Sequence, residues 1–68
     1  MDRKKLGARL RALREKKGAT VYLITKAGNI RYDQVRAIES GNRNYTIDAL
    51  LGYLIGLDLK FSDLSEDE

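Results

Sequence analysis

The chain predicts an all-α fold, a compact bundle of four to five helices. Pro is absent, so nothing breaks a helix from within. Leu, Ile and Val recur at three- and four-residue intervals through most of the chain, the spacing of one helical face. Capping residues and glycines mark off these runs: Thr20 and Thr46 before them, Gly18, Gly41 and Gly56 after them. At 68 residues the chain makes one domain. A domain so small buries only about 60% of the surface its unfolded form exposes.

The first helix is expected from Asp2 to Lys17, with Leu6, Leu10 and Leu13 on one stripe and Arg and Lys elsewhere. Gly18 ends it, and Lys16 and Lys17 suit the negative end of the helix dipole. Thr20 caps a second helix, Val21–Ala27, whose apolar side is Leu23, Ile24 and Ala27. Gly28 and Asn29 are the residue types that most readily take a positive φ, so a tight turn follows. Ile30 then enters the core, and a third helix runs from Arg31 to Ser40, with Val35 and Ile38 inward and Gly41 closing it.

Asn42 to Tyr45 is a polar loop. Thr46 caps a fourth helix with Asp48 in its first turn, a core stripe of Ile47, Leu50, Leu51 and Leu54, and a stop at Gly56. Gly52, in mid-helix, costs up to about 1 kcal/mol against Ala, which a close approach by another helix or a partner chain would explain. Leu57–Phe61 alternates with period two. Two readings stay open there: a short strand pairing with its copy in a second subunit, or an extended connector to a final helix at Ser62–Leu64. The domain is expected to span residues 1–64, with 65–68 a disordered acidic tail.

Charge is unevenly placed. Residues 1–45 hold twelve Lys/Arg and four Asp/Glu, a balance of +8, and residues 46–68 a balance of −5. The first part is suited to a polyanion, or simply to a solvated surface. The chain has neither Cys nor His, which excludes disulfides and the commonest metal ligands and general base. No metal site, no cofactor and no catalytic residue are expected, and the protein is not expected to be an enzyme. The opening MDRKKLGARL lacks the apolar run of an export signal. No stretch approaches the about 20 apolar residues that cross a bilayer. A soluble, cytoplasmic protein without a membrane partner is the expectation.

On a helical wheel with Val35 and Ile38 inward, Asp33, Arg36, Ala37 and Ser40 face out, flanked by Tyr32 and Gln34. Gln can pair with adenine, Arg with guanine, and Asp can accept from cytosine. The same face also suits a plain solvated helix, with Asp33 offsetting the dipole. Lys4, Lys5, Arg9 and Arg11 offer either phosphate contacts or a solvated face. Tyr22, Tyr45 and Tyr53 are expected to be packing residues.

LGARLRALREKKG, then Thr20, then AGNIRYDQVRAIESGNRN and YTIDALLGYLIGLDL resemble the Cro/repressor-type helix-turn-helix family, often called the XRE family. The most diagnostic part is VRAIESGNRN, similar to the family pattern I-x-x-[IW]-E-x-G-x-R. The resemblance covers Leu6 to Leu64. It implies a lambda-repressor-like domain of five helices that binds double-stranded operator DNA as a homodimer, with residues 31–40 in the major groove. It places base readout on Tyr32, Asp33, Gln34 and Ala37, with Arg36 at a base or phosphate. Asn42, Arg43 and Asn44 would meet the backbone, and Thr20 and Val21 would mark the phosphate-facing start of the second helix. It also implies a structural ion pair between Arg14 and Glu39.

The chain departs from the family at four positions. Val21 stands where Gln is usual, Thr25 where a small residue is, Asn29 where the turn Gly is, and Arg31 where a Ser or Thr caps the recognition helix. Arg31 cannot accept the amide bonds a cap accepts, which leaves open which of Tyr32, Asp33 and Gln34 reach bases. An alternative within the same fold is an antitoxin or adaptor whose C-terminal segment holds a protein partner such as a toxin.

Overall fold

The computed structural model describes residues 2–42 and 44–60, which form four helices and, among the described residues, no strand. Asp2 opens the first of them, α1 (Arg3–Lys16), its carboxylate accepting from the Lys5 amide at 2.8 Å. That bond and the nearby Lys5 charge hold the Asp2 carboxyl below its ordinary range. Thr20 caps α2 (Val21–Gly28) and Thr46 caps α4 (Ile47–Leu57), each hydroxyl accepting an amide three residues on at 3.0 Å. Between them, α3 (Tyr32–Ser40) begins after Arg31, which takes the extended cap conformation and gives no side-chain cap bond.

Asn29 makes the α2–α3 turn in the left-handed region, at φ 54° and ψ 48°. Gly41 ends α3 at φ 77°. Both turns use residues that adopt positive φ at low cost.

Leu10, Ile24, Val35, Ile38 and Tyr53 fill the centre, one or two from each helix, and all are essentially inaccessible. Two helix pairs make this possible by close approach. A Cβ on Gly52 would lie 2.7 Å from the Gly28 carbonyl oxygen, so α2 and α4 touch backbone to backbone there. A Cβ on Gly7 would lie 2.8 Å from the Glu39 carbonyl oxygen, so α1 crosses the end of α3 in the same way.

Several expectations need correction. α4 does not stop at Gly56: Leu57 is its last residue and is buried, and Asp58 caps it at φ 58°. Leu57–Lys60 is therefore no strand, because a left-handed residue at Asp58 turns the chain out of an extended path. Phe61, the helix expected at Ser62–Leu64, the tail 65–68, and Arg43 lie outside the described residues. The inward face of α4 is also rotated from the expected one. Ala49, Leu50, Tyr53, Leu54 and Leu57 are buried, whereas Ile47 and Leu51 are exposed. α4 is apolar nearly all round, so periodicity could not set its phase; the Gly52 contact sets it. In α2 only Ile24 is fully buried, with Leu23 and Ala27 exposed. No helix among the described residues is long and apolar enough to cross a membrane.

Candidate nucleic-acid interface

The α2–turn–α3 pair is braced by a part-buried polar cluster. Arg14 of α1 reaches Glu39 of α3 through two parallel bonds, Nε to Oε2 at 2.6 Å and Nη2 to Oε1 at 3.1 Å. Its remaining Nη1 donates to the Ala19 carbonyl at 2.9 Å, just before α2. Tyr53 of α4 donates its hydroxyl to the same Glu39 carboxylate. The two charged side chains are only 12% and 9% exposed. The hydrogen bond that Arg14 donates to Glu39 raises the arginine's already high pKa, and burial followed by the Glu39 contact pushes the Tyr53 hydroxyl well up. One carboxylate thus ties three helices together. Residue reasoning missed the part of Tyr53; its one trace in the sequence is the single aromatic ring, hydroxyl-bearing, of α4.

The outer face of α3 carries two paired units. Arg36 lies over the Tyr32 ring, its guanidinium carbon 5.7 Å from the centroid, and its Nη1 donates to the Tyr32 hydroxyl at 3.0 Å. Tyr32 is 57% exposed, so the pair projects into solvent. Stacking of this kind limits the freedom of a long side chain while leaving its donors on one plane. Arg31 and Asp33 form the second unit, a fork of 3.3 and 3.1 Å at the start of the helix. The Arg31 bond holds the Asp33 carboxyl below its ordinary range, and both groups remain well exposed. Tyr32, Asp33, Arg36, Ala37, Ser40 and Asn42 line one shallow groove along this face.

Gln34 is placed differently from its neighbours. It is partly buried, and both ends of its amide are taken by the α3–α4 loop: Nε2 donates to the Asn44 carbonyl at 3.1 Å and Oε1 accepts from the Thr46 amide at 3.3 Å. Asn42 supports the same loop, its Oδ1 accepting from the Asn44 amide at 2.8 Å. Ala37 is partly buried.

At the start of α2, the Thr20 hydroxyl is taken by the Leu23 amide. Val21 packs its side chain against the core, while Tyr22 stands 67% exposed under the Lys26 ammonium. The expectation of Tyr22 as a packing residue is thereby corrected. Tyr45 packs against the core and carries Arg3 over its ring at 5.1 Å.

Thus Tyr32, Asp33, Arg36 and Ala37 share one face, with Arg31 and Asn42 at its ends. Gln34 and Asn44 meet each other instead, and Thr20 and Val21 lie at the neighbouring end of α2. Among the described residues no group of three His, Cys, Asp or Glu is arranged to hold a metal. No protein-family model, curated protein or solved structure matches this chain.

Proposed function

We propose that this protein is a sequence-specific double-stranded DNA-binding regulator of lambda-repressor-like fold, acting as a repressor by occupying its site. The observation that carries this reading is the braced Arg36–Tyr32 pair, projecting from the exposed face of a short helix set behind a tight turn. α3 enters the major groove, which is about 12 Å wide and admits one helix. Arg36 offers a planar fork to guanine, and Tyr32 sets its direction. The basic balance of residues 1–45 supplies attraction to phosphate.

The protein acts as a homodimer on half-sites about 34–36 Å apart. Ile47, Leu51 and Ile55 support this, being 61%, 38% and 68% exposed at four-residue spacing on a helix whose one charged residue is Asp48. Leu51 lies midway between the two isoleucines. An antiparallel pairing of two α4 helices about Leu51 therefore sets each Ile47 against the partner copy's Ile55, as a twofold contact requires. The antitoxin or adaptor alternative, in which the segment from Leu57 to Phe61 and the acidic end hold a protein partner, loses only the strand form of that segment, because Leu57 and Asp58 end α4.

The test begins with sites selected from random DNA. Affinity for the selected site is expected to fall steeply as salt rises. Arg36→Ala should lose about 1–3 kcal/mol there and relax preference at one base pair. A flat salt response, or full affinity in the Arg36→Ala protein, overturns the reading.

A further inference from the structure

We propose that Gln34 is a positioning residue that fixes the α3–α4 loop against the recognition helix, so that the loop meets the DNA backbone, and that it reads no base. This rests on the DNA-binding reading above and deepens it.

A glutamine reads adenine by offering one donor and one acceptor side by side. Here that same pair is spent on peptide groups ten and twelve residues further on, through the Asn44 carbonyl and the Thr46 amide. The arrangement continues in both directions. Asn42 holds the Asn44 amide from one side, and beyond Thr46 its hydroxyl holds the Ala49 amide in the first turn of α4. A continuous run of hydrogen bonds thus leads from the end of α3 to the start of α4, and Gln34 joins its middle to α3.

Burial separates the roles in the same way. Tyr32, Asp33 and Arg36 are exposed, while Gln34 is partly covered. For Gln34 to turn to a base, both loop bonds must break and the loop must lose its anchor. Base preference therefore belongs to the Tyr32–Arg36 pair, and Gln34 acts on affinity by holding the loop at a fixed height beside the groove.

Gln34→Ala and Gln34→Met test this in the full chain, the Met variant keeping the length and most of the volume of the side chain. Two measurements are made on each. Hydrogen exchange at the Thr46 amide, followed by NMR without DNA, should quicken about fivefold in both variants while the Leu10 and Ile38 amides hold their wild-type rates. Site selection with each variant should return the wild-type sequence, with affinity lowered about three- to tenfold on every site alike. A changed preference at a single base pair overturns the proposal, and so does an unchanged Thr46 exchange rate. Wild-type protein that selects no sequence at all overturns the DNA reading and the loop's part in it, while the Thr46 exchange still reports whether Gln34 anchors the loop.

Discussion

Glu39 carries more at the level of single residues than any other side chain described. It receives a bidentate Arg14 and the Tyr53 hydroxyl in a setting largely closed to water. Replacing Arg14 with Ala leaves a part-buried carboxylate without its counter-charge, a loss of up to about 3–5 kcal/mol, the range for a fully buried pair. A small domain has about 5–15 kcal/mol in all, so the variant should unfold at a clearly lower urea concentration and temperature than wild type. Arg14→Lys should recover little, because a single ammonium cannot span both carboxylate oxygens and the Ala19 carbonyl. Tyr53 adds a pH signature. Its pKa is raised in the folded chain, so the stability it contributes is fully present below about pH 10, the unfolded value, and is lost as pH climbs beyond it. Urea unfolding at pH 7 and at about pH 11 should show a smaller alkaline loss in Tyr53→Phe than in wild type. Equal losses in the two proteins would remove Tyr53 as the titrating group.

At the level of elements, α2 and α4 depend on each other through two glycines. Gly52→Ala raises helix propensity by up to about 1 kcal/mol. The new Cβ, however, would stand 2.7 Å from the Gly28 carbonyl oxygen, which no side-chain rotation relieves. Overpacking of this kind costs about 1–3 kcal/mol, so the net effect should be destabilising in chemical denaturation. A net gain would mean that α2 can draw back from α4 freely. The same contact shows what the residue order made legible and what it did not. The ends of α2 and α3 were legible because Thr20, Asn29 and Gly41 have specific local chemistry. The odd placement of Gly52 in a helix also pointed to a close approach. The phase of α4 was not legible, since leucines and isoleucines occupy nearly every side of it. The choice between Ile47 and Tyr53 as inward residues was made by a partner helix and a distant carboxylate. For the same reason Gln34 could be placed on the flank of α3 by spacing, but its engagement with Asn44 and Thr46 depends on a loop whose path spacing does not give.

Among the described residues, α1 and α3 expose mostly basic and polar side chains, whereas α4 exposes an apolar ridge of Ile47, Leu51 and Ile55. If two copies meet along that ridge, Leu51→Glu or Ile55→Glu should leave helix content intact by circular dichroism. Each should shift the sedimenting species from dimer to monomer and, on the proposed DNA-binding reading, weaken affinity for the selected site at least tenfold. A wild-type protein that sediments as a monomer at the concentrations where it binds its selected site would overturn the α4 pairing. The Arg14–Glu39–Tyr53 cluster bears on a different question, that of modularity. Its three members come from α1, α3 and α4. The helix pair between them therefore owes its shape to residues on both sides of it in the chain. Grafted onto another scaffold without α1, it would bring along an acid with no base to meet it. The turn and its two helices make a part that cannot be lifted out and reused, and any chimera that keeps them must keep the first helix as well.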